Sequence, residues 1–168
     1  MNMNYEIVYL EEKTVEGITA RTNNHASDMG MVIGGLWNRF YQEGVYENIK
    51  EKADRKAIGL YTEYAGGVDD DYTIMVCCAV DEKTGNRSGG RTAGCEVRKI
   101  PAGRYARFKI VCDMRTSSAA VSEAWQEIWE TDLPRTYICD FEEYQNEDMR
   151  HAEVHIYIGL KEDEQSEI

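Results

Sequence analysis

The chain has 168 residues and a formal net charge of −12, and this length suits one domain or two small repeats that share a core. Such an acidic excess argues against a nucleic-acid-binding face, which needs clustered Lys and Arg, and against charge-driven attachment to anionic lipid. The mean hydropathy is −0.58, and no apolar run approaches the roughly 18 residues of a membrane helix. We therefore expect neither a nucleic acid nor a membrane as a direct partner.

The cysteines, the N-terminal segment and the catalytic motifs searched for indicate where the protein works and whether it needs a cofactor. Five cysteines, an odd number without CxxC spacing, indicate neither a disulfide framework nor a zinc ribbon. The N-terminal segment lacks a basic region followed by an apolar stretch, so we expect a cytoplasmic protein. Since the sequence also has no Walker loop, GxSxG elbow or HExxH motif, we predict no metal site and no cofactor.

In chain order, the first half predicts two strands, a helix, a loop or short extra helix, and a strand pair: 5–10, 15–21, 29–43, 45–55, 57–64 and 72–80. Asp28 is a candidate N-cap for the helix, and Val32, Leu36 and Phe40 recur along it at helical spacing. The segment 81–94 then holds four of the fourteen glycines and predicts a loop.

The second half repeats the same order of elements, with predicted strands, helix and strand pair at 95–100, 104–111, 117–130, 136–144 and 152–160. Trp37 aligns with Trp125, and LYTEY (60–64) aligns with DFEEY (140–144). Each half is a βαββ unit, and a single unit would leave part of its sheet face uncovered. We therefore expect the two units to pair. The prediction is a single α+β domain over 1–168, with repeats at about 5–80 and 95–161 and a charged tail at 162–168.

Glu142 is the carboxylate that the sequence singles out. Alternation along the strand places Glu142 and Tyr144 on one face and Phe141 on the other. If the helices cover the apolar Phe141 face, Glu142 lies on the opposite face, near Tyr61. A carboxylate among aromatic rings binds a delocalised or quaternary cation well, and a raised pKa would let it act as a general base.

Other interpretations of these side chains are structural. Glu142 would otherwise pair with Arg104 or Arg107 on a neighbouring strand. His151 and His155 have i, i+4 spacing, but on a strand they point outward and are expected at the surface. Tryptophans at helical spacing are more often core residues, whereas eleven tyrosines against three phenylalanines weakly favour a half-wet cleft.

Several segments together resemble the gyrase inhibitor-like (GyrI-like) effector-binding family: IGGLWNRF (33–40), GLYTEY (59–64), IPAGRYARF (100–108), AWQEIW (124–129), and DFEEY followed by EVHIYIGLK (153–161). The resemblance implies tandem βαββ repeats related by a pseudo-twofold axis, an antiparallel sheet with two main helices, and a central ligand cleft. It places the family's acidic pocket residue on Glu142 and matches family tryptophans at Trp37 and Trp125. Tyr61 and Tyr105 lie in matching motifs.

These expectations define a ligand-binding module for a small hydrophobic molecule, cationic or aromatic, with candidate contacts at Glu142, Trp37, Trp125, Tyr61, Tyr105 and Tyr144. Because the repeats fill nearly the whole chain, we expect no separate DNA-binding domain, and any link to transcription or toxin resistance would act through ligand capture. One alternative is a hydrolase that opens cyclopropanoid toxins with Glu142 as its base. The other is an acidic protein-interaction module that inhibits a partner such as DNA gyrase. A protein partner or a homo-oligomer is compatible with each.

Overall fold

A computed structural model describes residues 4–49, 52–67, 69–81, 94–115 and 119–162. Within these ranges the elements are β1 (Glu6–Leu10), β2 (Lys13–Thr22), α1 (Met29–Gln42), α2 (Val45–Asn48), β3 (Lys52–Thr62), β4 (Tyr72–Val80), β5 (Glu96–Ile100), β6 (Gly103–Cys112), α3 (Ala120–Trp129), β7 (Arg135–Tyr144) and β8 (Ala152–Leu160). The predicted α+β order is confirmed. The short extra helix of the two options for 45–55 is present as α2.

A few predicted boundaries differ from the structure. β3 begins at Lys52 and ends before Glu63, whose φ of 53° breaks the extended backbone. Asp28 occupies the N-cap position of α1, but its side chain makes no capping hydrogen bond. Most of the predicted loop 81–94 and of the tail 162–168, and the first residues of the predicted second helix, lie outside the described residues.

All eight described strands form one antiparallel sheet in the order β1-β6-β8-β7-β3-β4-β2-β5. β1 and β2 stand near opposite ends of this order, yet only Glu11 and Glu12 connect them. β5 and β6 also lie near opposite ends and are joined by Pro101 and Ala102. A link of two residues covers three Cα–Cα steps and spans no more than about 11 Å, so the sheet must curl until its ends approach each other.

The curl gives the sheet a closed inner face and an outer face that carries the helices. α1 packs over a cluster on the first repeat that includes Ile18, Ile74 and Val76, and α3 packs over the equivalent cluster on the second repeat. The side chains of the inner face pack against one another, and among the described residues no helix contributes to this cluster. Its buried members are Val15, Ile58, Leu60, Met75, Cys77, Ile100, Tyr105, Cys139, Phe141 and Tyr157. Apolar residues therefore line both faces of the sheet.

The two repeats meet at β3 and β7, which sit at the centre of the sheet. Their ladder is centred on the pair Leu60–Phe141, both on the inner face. A twofold axis through this pair makes Leu60 equivalent to Phe141 and Tyr61 equivalent to Glu142. The sequence alignment that placed Leu60 over Asp140 was therefore one residue out of register.

Candidate functional site

A cavity of about 520 Å³ lies on the outer face of the sheet, where the two repeats and their helices meet. Its floor comes from β3, β4 and β7, and its walls come from α1 and α3. The lining residues are Asn24, Met29, Gly30, Ile33, Gly34, Trp37, Tyr61, Tyr64, Tyr72, Met114, Val121, Ser122, Trp125, Gln126, Trp129, Arg135, Glu142 and Tyr144. Apolar and aromatic side chains dominate this list, as in most small-molecule sites.

Glu142 projects from the C-terminal part of β7 into this cavity and is only 3 % exposed. The Tyr61 hydroxyl donates to Glu142 Oε1 at 2.8 Å, and the Tyr144 hydroxyl donates to Oε2 at 2.5 Å. The prediction that Glu142 lies on the face away from the helices was wrong. Phe141 occupies that face instead, because the curled sheet has an apolar interior of its own.

The surroundings of Glu142 act on its pKa in opposite directions. Burial raises the pKa of the carboxyl above its ordinary value, while the hydroxyl donors Tyr144 and Tyr61 lower it. The Trp125 indole N–H also favours the charged form, although it makes no hydrogen bond within the described residues. Burial and the nearby carboxylate raise the pKa values of Tyr61 and Tyr144 well above 10, so both stay hydroxyl donors at neutral pH.

Aromatic rings from both repeats stand beside this carboxylate. The Trp37 ring meets the Tyr144 ring edge-on at 5.1 Å between centroids, and the Trp125 ring lies 4.8 Å from the Tyr61 ring. Trp37 and Trp125 occupy matching places on the two helices, so each repeat supplies one tryptophan to one site. Five of the six predicted contact residues therefore surround a single cavity.

A second charged group in the cavity wall was not identified from the sequence. The Arg135 Nη2 group donates to Asp140 Oδ2 at 2.8 Å, and both side chains are buried. The Tyr64 hydroxyl and the Gly159 backbone N–H also donate to Asp140. Burial lowers the pKa of Arg135, but Asp140 and its hydrogen bond outweigh that effect and raise the pKa above its ordinary value. Since the charges of Arg135 and Asp140 cancel, Glu142 supplies the net charge of these three side chains.

Tyr105, the sixth predicted contact, does not reach the cavity. Its ring belongs to the inner-face cluster, and its hydroxyl donates to the Pro101 carbonyl at 2.7 Å. Strand alternation sends the side chains of Tyr105 and of its neighbour Ala106 to opposite faces, and Ala106 is the one on the helix side. The assignment of Tyr105 to the site was therefore wrong.

The other charged side chains considered in the sequence analysis lie on the inner face of the sheet or at its rim. His155 is 8 % exposed and lies 2.6 Å from Glu153, so its expected place at the surface was wrong, because the curl buries the inner face. Arg107 pairs with Glu6 at 3.2 Å rather than with Glu142. Arg104 donates to the Lys161 carbonyl.

Several lining residues were missed, although helical spacing contains a signal for them. Ile33 lies one turn before Trp37, and Val121 and Trp129 lie one turn on either side of Trp125. Residues four apart share a helix face, so the two tryptophans could have predicted these neighbours.

The described residues contain no cluster of three or more His, Cys, Asp or Glu side chains that could hold a metal ion. Their helices are likewise too short or too polar to cross a bilayer.

A curled antiparallel sheet with two symmetry-related helices over a central cavity defines a GyrI-like effector-binding protein. The chain belongs to the Cass2 family of integron-associated effector binding proteins, whose model matches residues 6–160. The predicted family resemblance is thereby confirmed. No curated protein matches the chain.

Three solved structures share the fold at low sequence identity. An integron cassette protein from the mobile metagenome of Vibrio cholerae is 24 % identical, with a TM-score of 0.72 over 96 % of this chain and 100 % of that one. SAV2435, solved bound to tetraphenylphosphonium, is 21 % identical, with a TM-score of 0.74 over 95 % and 94 % of the two chains. A candidate transcription regulation protein from Staphylococcus aureus is 20 % identical, with a TM-score of 0.70 over 96 % and 100 %.

Proposed function

We propose that this protein binds a hydrophobic organic cation that carries aromatic groups, in the cavity between α1 and α3. One observation carries the proposal: Glu142 is buried on the cavity floor, and no basic side chain of the described residues pairs with it. A buried carboxylate without a counter-ion costs free energy that a cationic ligand would offset.

The size and walls of the cavity suit such a ligand. A volume of about 520 Å³ lies within the usual range of about 300–1,000 Å³ for small-molecule sites. Trp37, Trp125, Tyr61 and Tyr144 present aromatic surface close to the carboxylate. Aromatic faces attract cations and stack on ligand rings, so charge and apolar area would be recognised in one place.

The hydrogen bonds of Glu142 favour cations that have no N–H groups. Each carboxylate oxygen already accepts a tyrosine hydroxyl. Two of the roughly four acceptor sites of the carboxylate are thereby occupied, so a primary ammonium with three N–H donors would find fewer acceptors on Glu142 than it leaves in water. A quaternary or phosphonium cation has no donors to satisfy and keeps the full electrostatic attraction.

The fold neighbour solved with tetraphenylphosphonium suggests the probe for a direct test. Calorimetric titration of this protein with tetraphenylphosphonium should show saturable binding, whereas triphenylphosphine oxide, a neutral molecule with similar rings, should bind more weakly. Equal affinities for the two would contradict the proposal. The hydrolase alternative is tested by incubating the protein with a cyclopropanoid electrophile and analysing the products by mass spectrometry. A hydrated product would favour the hydrolase.

We also propose that the protein works in the reducing cytoplasm, where it removes its ligand from solution or reports its presence to a regulatory partner. The five cysteines are free, and four of them are buried. Burial raises the pKa of the Cys78 thiol to about 12, which leaves it unreactive. Comparison of thiol counts before and after mild oxidation of the folded protein tests this: disulfide formation at the buried positions would contradict it.

A further inference from the structure

Gly59 on β3 is the residue directly opposite Glu142 on β7 in the central ladder. A Cβ atom at Gly59 would lie 3.0 Å from Glu142 Cγ and 3.2 Å from both Cδ and Oε1. These distances are shorter than ordinary carbon contacts of about 3.5–4.0 Å. The side chain of Glu142 therefore lies across β3 in the space that a side chain at position 59 would fill.

We infer that Gly59 is a positioning residue for the cavity: because it has no side chain, it lets the Glu142 carboxylate lie flat against the sheet, where both tyrosine hydroxyls reach it. The inference uses the proposed function only for its ligand measurements. Its structural part concerns the protein without ligand.

The difference between the two repeats supports this role. The axis through Leu60 and Phe141 makes Gly59 equivalent to Asp140 and Tyr61 equivalent to Glu142. The second repeat thus has two carboxylates where the first has a glycine and a tyrosine. On β3, Gly59 therefore leaves space for the Glu142 side chain, and Tyr61, two residues further along, supplies a hydroxyl donor to it.

Two donors hold the carboxylate over Gly59 from different directions. Tyr61 lies on β3 beyond Gly59 and binds Oε1, while Tyr144 lies on β7 and binds Oε2. A methyl group at position 59 would push Cγ and Cδ a few tenths of an ångström away from β3. The hydrogen bond from Tyr61 should lengthen and weaken first, since that donor is on β3 itself. The methyl group would also move the charge relative to the Trp125 ring, which contacts Tyr61.

The first experiment is a stability cycle without ligand. Gly59→Ala should lower the urea midpoint when residue 142 is Glu, and it should be neutral or stabilising in a Glu142→Ala background, where the colliding atoms are gone. Gly35→Ala is the matched control, because a Cβ atom there would meet nothing within 4 Å, and its effect should not depend on residue 142. An equal loss from Gly59→Ala in both backgrounds would overturn the inference.

The cycle stays decisive if Gly59→Ala alone does not fold. The double variant Gly59→Ala/Glu142→Ala should then fold, because the collision is absent. An unfolded double variant would place the collision elsewhere and overturn the inference. A further readout is the pKa of Glu142 from carbon-13 NMR of its carboxyl in folded Gly59→Ala. Weaker tyrosine hydrogen bonds should raise this pKa further, and an unchanged pKa would contradict the inference.

The second experiment separates the inference from the proposed function. Gly59→Ala should weaken tetraphenylphosphonium binding by about tenfold, the equivalent of one lost contact worth about 1.4 kcal/mol. It should change triphenylphosphine oxide binding by less than about twofold, and it should cause no further loss of tetraphenylphosphonium binding in a Glu142→Gln background. Equal weakening of both ligands, or additive losses, would overturn the inference. Absence of binding to the unsubstituted protein would instead defeat the proposed function, and the stability cycle would still decide the role of Gly59.

Discussion

Neutralising Glu142 should remove most of the preference for a cation. Glu142→Gln keeps the size of the side chain and one carbonyl acceptor but deletes the charge. A cation centre about 5–6 Å from the carboxylate gains about 3 kcal/mol at an effective dielectric constant of about 20. The cavity is open to water on one side, so we expect a loss of about 1.5–3 kcal/mol, which corresponds to about 10- to 150-fold weaker binding.

The assay is calorimetric titration of tetraphenylphosphonium and triphenylphosphine oxide into both proteins at low and moderate salt. The control is Glu143→Gln, which removes the same charge from the adjacent residue on the other face. Glu143 is held by Lys13 at 3.1 Å and by Lys56 at 3.9 Å, and it does not line the cavity. It should therefore change binding by less than about twofold, because its field is compensated locally.

Two results would refute this reasoning. If Glu142→Gln binds tetraphenylphosphonium as tightly as the unsubstituted protein, the charge of Glu142 is not part of recognition. If Glu143→Gln weakens binding as much as Glu142→Gln does, the net charge of −12 attracts the cation in bulk, and no particular residue recognises it.

Three further predictions concern pH and stability. Cation affinity should fall as the pH is lowered through the raised pKa of Glu142, because the protonated carboxyl carries no charge; a phosphine oxide titration that falls in parallel would contradict this. In the unfolded chain Glu142 loses its proton at its ordinary pKa of about 4.5, whereas in the native protein it keeps the proton to higher pH. The free energy of unfolding should therefore decrease as the pH rises from about 4.5 through the raised pKa. Urea midpoints of Glu142→Gln, measured over the same pH range, should lack that decrease. Arg135→Met should lower the free energy of unfolding by about 3–5 kcal/mol, because buried Asp140 loses its partner; Arg135→Met/Asp140→Asn should recover much of the loss, and failure to recover would show that the pair is not the cause.

The sequence by itself determined the order of the elements and which residues share a face. Alternation along β7 placed Glu142 and Tyr144 together, and helical spacing paired Trp37 with Trp125. Such periods are local consequences of backbone geometry, so they can be read without knowing the fold. The family resemblance assigned Glu142 to a pocket on the strength of several segments in the right order.

Only the tertiary structure decided which face of the sheet holds the cavity. The sequence shows one apolar face on β7, and it does not show that the curl closes this face upon itself instead of leaving it to the helices. That choice placed Glu142 under the helices and Tyr105 in the interior. The link that forces the curl is two residues long, but its consequence depends on a strand order that pairs residues far apart in the chain.

The Arg135–Asp140 pair shows the same limit more sharply. Residues five apart on a regular strand point to opposite faces, so alternation separates Arg135 from Asp140. The register between β7 and β8 shifts between these two residues, and Tyr137 in between has a φ of 55°. This irregularity turns both side chains to one side. Local periodicity therefore predicts side-chain faces where the strand is regular, whereas contacts across a bulge and the closure of the sheet depend on the folded whole.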